Sequence, residues 1–88
     1  MNTAKEIEIL PSLSLSPIPG LLLTYRLIEC GGFFYVDVIA ADGDGERRLR
    51  SGAFEARDTA EAFFRLTVHH TVTPYTLDAI FDEWHSSL

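Results

Sequence analysis

The sequence predicts an α+β domain, in which a three-stranded antiparallel meander carries two C-terminal helices packed on one face. A fourth edge strand from the N-terminus is a further candidate. Three observations support this fold class. Apolar and β-branched runs flank a Gly-Gly pair in residues 21–41, a second glycine-rich turn follows in residues 42–45, and apolar residues recur at helical spacing after residue 58.

Residues 21–41 form the centre of the predicted sheet. The pair Gly31-Gly32 between two apolar runs is typical of a two-residue hairpin turn, because glycine takes the positive φ angles of such a turn without steric cost. A two-residue loop fixes the register, so Ile28 lies opposite Tyr35. One face of the hairpin, which we call the inner face, is then mostly apolar and carries Leu23, Tyr25, Leu27, Phe34, Val36 and Val38.

The Asp-Gly-Asp-Gly turn at residues 42–45 predicts a third strand over residues 46–54. Its register places Asp37 between Arg26 and Arg50 on the outer face, the side of the sheet opposite the inner face. Cross-strand ion pairs of this kind contribute roughly 0.2 to 1 kcal/mol each, which favours this register.

The segment Asp58-Thr59-Ala60-Glu61 resembles a capping box and predicts a first helix with Asp58 at its N-cap. Apolar positions then recur at spacings of three and four, which gives one stripe able to cover the inner face. The stripe contains Ala60, Phe63, Phe64, Thr67, Val68 and Thr71.

The pair Thr73-Pro74 predicts the start of a second helix, with threonine at the N-cap and proline at the first helical position. Its apolar residues follow an i, i+3, i+4, i+7 pattern, which is typical of an amphipathic helix that lies on a core. Leu77, Phe81 and Trp84 are therefore predicted core residues.

Residues 1–20 are predicted to form an extended or partly disordered arm, because they contain three of the four prolines and several serines. Within the arm, residues 6–10 alternate polar and apolar side chains and end at Pro11. This pattern fits a short edge strand, and a disordered leader fits it equally well. The remaining residues, 21–88, form the predicted single domain.

The composition narrows the classes of partner. A hydrophobic content of 47% in 88 residues is sufficient for one packed core, yet a chain this short buries only about 60 to 65% of its unfolded surface. Association with another copy would add stability. The formal net charge of -6 disfavours nucleic acid and anionic membrane surfaces as partners.

The sequence also bears on location. No apolar run reaches the roughly 18 to 20 residues of a membrane span, and the N-terminus lacks the pattern of a secretion signal. A single cysteine, Cys30, is compatible with a reducing compartment. We expect a cytoplasmic protein with no membrane partner.

The order of three strands and two helices resembles a family of small uncharacterised bacterial proteins of about this length. The residues that carry the resemblance are Tyr25-Arg26-Leu27, Tyr35-Val36-Asp37, and Thr73-Pro74 with Leu77. They span about residues 21–85. The resemblance implies the fold and no activity, so it transfers no site residue.

The sequence predicts no catalytic, metal or cofactor site. The adjacent residues His69 and His70 differ by about 100° around a helix axis and do not converge on one ion. The acidic turn at residues 42–45 starts like a calcium loop, but Arg47 and Ala53 stand where an EF-hand needs Gly and Glu. Because neither Cys30 nor these histidines has a visible third partner, we do not expect an enzyme.

The outer face is the predicted functional surface. Its apolar side chains would lie in water if both helices cover the inner face, and such patches usually mark association. We expect self-association or docking of a protein partner, through the sheet face or a strand edge. Two alternatives are single-stranded nucleic acid stacked on the aromatic side chains, and burial under the arm with Leu13, Leu15 and Ile18 as a lid. The predicted interaction residues are Arg26, Ile28, Phe33, Tyr35, Ile39, Arg48 and Arg50.

Overall fold

The computed structural model describes residues 5–86. Its elements in chain order are β1 (Ile7–Glu8), β2 (Leu13–Leu15), β3 (Leu22–Cys30), β4 (Phe33–Asp42), β5 (Gly45–Arg50), α1 (Arg57–His69) and α2 (Leu77–Ser86). The sheet is antiparallel, with β4 between β3 and β5, while β1 and β2 both pair with β3. The α+β class is therefore confirmed. Residues 1–4 of the predicted arm and 87–88 of the predicted domain lie outside the described residues.

Both predicted registers of the central sheet are confirmed. Ile28 pairs with Tyr35 across β3 and β4, and Asp37 pairs with Arg26 on one side and Arg50 on the other. The two turn glycines have φ angles of 63° and 87°, as a two-residue hairpin turn with two positive φ angles requires. Local turn chemistry thus sets the position of the outer-face side chains.

The third strand is shorter than predicted because a bulge interrupts it. Ser51 still pairs with Val36, but Phe34 pairs with Phe54, which leaves one extra residue in residues 52–53. The bulge turns the side chain of Phe54 onto the inner face, where it is 2% exposed. Without the extra residue the small side chain of Ala53 would take this core position.

The N-terminal arm lies along the free edge of β3 and forms two short strands in place of one. Pro11 falls between them, because proline lacks the N–H that a continuous ladder needs. Ile9 extends the pairing with a hydrogen bond from its N–H to the carbonyl of Leu27. The predicted lid over the outer face is wrong: Leu15 packs against the inner-face core, and Ile18 is 59% exposed.

The first helix begins two residues earlier than predicted. Its N-cap is Ala56, which makes no side-chain capping hydrogen bond, and Asp58 lies in the first turn. The predicted capping box is wrong because the Glu61 carboxylate pairs with Arg57 at 2.8 Å and with Arg65 at 3.5 Å instead of reaching back to the N-cap.

The second helix begins at Leu77 and not at Pro74. Residues 73–76 form a turn, in which the N–H of Thr76 donates to the carbonyl of Thr73 at 3.1 Å. The first helical carbonyl is that of Thr76, which accepts the N–H of Ile80. The predicted cap and helix are therefore separated by one turn.

The core lies between the inner face and the two helices. The predicted stripe residues Ala60, Phe63, Phe64 and Thr67 are buried, while Thr71 is exposed because it follows the helix. Leu77 is fully buried, and Phe81 and Trp84 are half-buried against the core. These two rings and Phe54 surround Phe63 with centroid separations of 5.3 to 5.7 Å, which joins α2 to the sheet through aromatic contacts.

Candidate functional site

The seven predicted interaction residues all lie on the outer face. Ile28 of β3 lies opposite Tyr35 of β4, Arg26 lies two residues away from Ile28 on β3, and the register of β5 adds Arg48 opposite Ile39. Phe33 lies at the hairpin end of the sheet, opposite Cys30. The structure therefore brings these residues onto one surface, although Phe33 is distant in register from Arg48.

The apolar centre of this surface is closed to solvent. Ile28 is 0% exposed and Ile39 is 8% exposed, so the expectation that they form an apolar patch in water is wrong. The same face carries an ion cluster, in which Arg50 reaches from β5 to Asp37 and Glu6 and lies over the Tyr35 ring. The large apolar side chains of this face that remain exposed, Leu22 and Phe33, lie near opposite ends of β3 and β4.

An ion cluster lies at the middle of the outer face. Asp37, whose side chain is fully buried, accepts hydrogen bonds from Arg50 Nε at 2.7 Å and Arg50 Nη2 at 3.1 Å. Arg26 lies 3.8 Å from the same carboxylate. This bidentate geometry raises the pKa of Arg50, with a second contribution from Glu6. The guanidinium is thereby held in one orientation.

Glu6 completes the cluster from the N-terminal arm. Its carboxylate lies 2.5 Å from Arg50 Nη2, and this contact lowers the pKa of Glu6 below its usual 4.5. Sequence reasoning missed this residue, since the two positions are 44 residues apart and no local pattern links them. The alternation of glutamate and isoleucine in residues 6–9 is the signal that places Glu6 on the same face as Arg50.

The Tyr35 ring of this face is not an open stacking surface. The guanidinium carbon of Arg50 lies 5.4 Å from the centroid of the Tyr35 ring, and Tyr35 is half-buried. The same arginine is bound to two carboxylates. Base stacking on Tyr35 would have to displace these contacts, which disfavours single-stranded nucleic acid at this position.

The outer edge of β5 is the accessible part of the surface. Among the described strands, β5 pairs only with β4. The N–H of Ser51 donates to the carbonyl of Val36 at 2.9 Å. Because hydrogen-bonded pairs alternate along an antiparallel ladder, the backbone groups of Glu46, Arg48 and Arg50 point away from β4.

The side chains along this edge are mostly basic. Arg47, Arg48 and Arg50 are three of the seven Lys and Arg residues in the chain and fall within four positions. Arg48 is 53% exposed, with one ion pair to Glu46 at 3.7 Å. Arg47 lies 5.7 Å from the centroid of the Tyr75 ring, a contact that sequence reasoning also missed. The β5 edge is therefore a basic strip on an acidic protein.

The opposite edge of the sheet is less accessible to a further strand. It consists of β1 and β2, which are two and three residues long and are flanked by Pro11 and Pro17. Short edge strands and prolines are the usual protection against unwanted pairing. Strand addition is therefore favoured at β5.

The residues considered for metal or nucleophilic chemistry do not form a site. His69 and His70 are exposed at the end of α1, and Cys30 is half-buried at the end of β3. Within residues 5–86, no three His, Cys, Asp or Glu side chains are grouped to hold a metal ion. No helix in the same range has the length and apolar character needed to cross a membrane.

Comparison with known proteins adds no family. No protein-family model, no curated protein and no solved structure matches this chain. The resemblance to small bacterial proteins therefore stays a prediction.

Proposed function

We propose that this protein is a non-enzymatic interaction module that binds an extended acidic segment of a partner protein along β5, adding one strand to the sheet. The observation that carries the proposal is the edge of β5, which pairs with no further strand among residues 5–86 and directs the backbone groups of residues 46, 48 and 50 outward. Main-chain hydrogen bonds supply affinity in strand addition, and the flanking side chains supply specificity.

Charge supports an acidic segment as the occupant. Arg47 and Arg48 supply the positive charge at this edge of a chain with a formal net charge of -6, since Arg50 already binds Asp37 and Glu6. An added strand with carboxylates on the outer-face side would meet Arg48, which is half exposed. The internal contact between Glu6 and Arg50 supports the same preference, since it pairs an arginine of β5 with an acidic strand residue.

Charge alone does not favour pairing of β5 with β5 of a second copy. The antiparallel register centred on residue 49 places Arg48 opposite Arg50 twice, while registers centred on residues 47 and 48 place one arginine opposite itself and Glu46 opposite Arg48 or Arg50. Like charges opposite each other on paired strands are destabilising, and opposite charges are stabilising. An acidic segment replaces the arginine–arginine pairs by carboxylate–arginine pairs, which favours a different protein over a second copy.

The test uses a fluorescent peptide of about ten residues in which Glu and Val alternate. We expect saturable binding by anisotropy, slower hydrogen exchange at the amides of Arg48 and Arg50, and no binding of the matching Lys and Val peptide. A version with proline at its centre should also fail, because proline removes a ladder hydrogen bond.

Charge reversal locates the interaction. Arg48→Glu should weaken binding of the Glu and Val peptide by about tenfold or more. Arg65→Glu, which reverses an exposed charge on α1, is the matched control and should leave the affinity within about twofold. Equal binding of the proline peptide, or equal losses in both variants, would reject strand addition at β5. Dimerisation, or preferential binding of oligothymidylate, would reject the proposed partner class.

A further inference from the structure

A second concave region lies on the helix side of the molecule, away from β5. It is an open groove of about 590 Å³ between the end of α1, the connection over residues 70–76, and α2. We infer that this groove binds a small molecule with an apolar body and a protonated amine. The inference is independent of the proposed function, because no residue of β5 lines the groove.

The lining of the groove suits an apolar body. Val72 is 4% exposed, and Leu66, Ile80 and Trp84 are half-buried. Ile80 and Trp84 are four residues apart and share one side of α2, facing the groove. A volume of this size lies in the range of small-molecule sites, which are mostly apolar with a few polar groups.

The polar groups at the groove select the head group of the ligand. The charged or titratable side chains among its described lining residues are Glu83 and His70, with no lysine or arginine. Anionic head groups such as carboxylates would find no lysine or arginine there, and they would lie near Glu83. A protonated amine can pair with the Glu83 carboxylate and lie over the adjacent Trp84 ring. The hydroxyls of Thr73 and Thr76 are further hydrogen-bonding groups at the groove.

The experiment uses three probes with one apolar body: 4-phenylbutylamine, 4-phenylbutanol and 4-phenylbutyrate. Trp84 is the single tryptophan of the chain, so its fluorescence reports binding at this groove. We expect the amine to bind most tightly, the alcohol more weakly and the carboxylate least. NMR shift changes should centre on Leu66, Ile80 and Trp84.

Variants of Glu83 test the role of charge, and this exposed residue can be changed without touching the core. Glu83→Gln should weaken the amine by about fivefold and leave the alcohol unchanged, and Glu83→Lys should reverse the preference toward the carboxylate. Asp82→Asn removes the same charge from the neighbouring position of α2, outside the groove, and should have no effect. The inference is overturned by equal binding of amine and carboxylate, by equal effects of Asp82→Asn and Glu83→Gln, or by the absence of saturable binding.

Discussion

The hydroxyl of Tyr25 in β3 donates a hydrogen bond to the backbone carbonyl of Val72, at 2.9 Å. The two residues are 47 positions apart, and both are buried. The bond joins the centre of the sheet to the connection between α1 and α2. It gives the carbonyl of a buried residue a hydrogen-bond partner, and it ties the connection that precedes α2 to the sheet.

Removing this hydroxyl should destabilise the fold. Tyr25→Phe leaves the ring in the core and deprives the Val72 carbonyl of its partner, which costs about 1 to 3 kcal/mol. We expect this loss in the free energy of unfolding by urea denaturation. Tyr75→Phe is the control, because Tyr75 is 74% exposed. Equal stability of the wild type and Tyr25→Phe would show that the bond contributes nothing.

The same residue should give a pH dependence. Burial raises the pKa of Tyr25 from 10.0 to about 12, because the ionised form is disfavoured in the core. The folded state then binds the proton more tightly than the unfolded state, so the stabilisation is complete below pH 10 and is lost as the pH rises toward 12. The stability difference between the wild type and Tyr25→Phe should therefore shrink over this range. A stability difference between the two proteins that stays constant from pH 9 to 12 would contradict the raised pKa of Tyr25.

Gly52 permits a close approach between the bulge and α2. A Cβ atom at this position would lie 2.6 Å from Cζ and 2.7 Å from Cε2 of the Phe81 ring. The ring is held edge-to-face against Phe54 and Phe63, so it has little room to move. Gly52→Ala should cost about 1 to 3 kcal/mol, as other overpacking substitutions do.

The control for this prediction is Gly43→Ala, since nothing lies within 4 Å of a Cβ at Gly43. Its melting temperature should stay near that of the wild type. A second substitution that replaces the ring by a smaller side chain, Phe81→Leu, should lower the stability of the Gly52→Ala protein less than that of the wild type. Additive losses would mean that the two sites do not clash.

The sequence predicts the registers of the sheet because local chemistry sets them. Gly31-Gly32 and the turn at residues 42–45 define which side chains share a face, and Arg26, Asp37 and Arg50 are found together as expected. The bulge was missed, although Gly52 within a predicted strand is a signal for one.

The accessibility of the outer face could not be predicted in the same way. Register gives the face on which Ile28 lies but not whether that side chain is exposed, so the register alone did not predict its complete burial. The contact of Glu6 with Arg50 and the groove between the helices depend on how distant segments pack. Spacing along the chain indicates the face of Glu6 but not its contact with Arg50, and it carries no information about the groove.

Thr71 is the strained residue at the end of α1. Its φ angle is 48°, in the left-handed region that a β-branched residue rarely adopts. The N–H of Val72 donates to the carbonyl of Thr67, and the N–H of Thr71 donates to that of Val68. This is a Schellman motif, whose left-handed position is usually glycine.

Thr71→Gly should therefore raise the free energy of unfolding by about 0.5 to 1 kcal/mol. The gain from relieved strain exceeds the entropy that glycine adds to the unfolded chain. Thr59→Gly within α1 should instead lower stability. This control separates the relief of backbone strain at Thr71 from a general effect of glycine. A lower melting temperature for Thr71→Gly would refute the strain argument.

The last prediction concerns the ion cluster of the outer face. Asp37 has a fully buried side chain, and it binds Arg50 through two hydrogen bonds. Asp37→Asn keeps the shape but removes the charge and turns an N–H₂ group toward a guanidinium, so it should cost about 2 to 4 kcal/mol. The expected loss in stability is smaller than the loss from breaking a fully buried pair, because the side chains of Arg26 and Arg50 are 24% and 35% exposed and can be hydrated.

Glu6→Gln provides the comparison, since it removes an exposed carboxylate charge that pairs with the same arginine, Arg50. Its effect on stability should be smaller than that of Asp37→Asn and should diminish in high salt, which screens exposed pairs more than buried ones. Arg50 holds the pKa of Glu6 below 4.5, so the Glu6 contribution is present above pH 4.5 and is lost as the pH falls through the lower folded value. Urea denaturation at low and high salt measures the screening, and urea denaturation at pH 7 and pH 3 measures the pH dependence. Equal stabilities of Asp37→Asn and the wild type at pH 7 would mean that the cluster does not hold the sheet together.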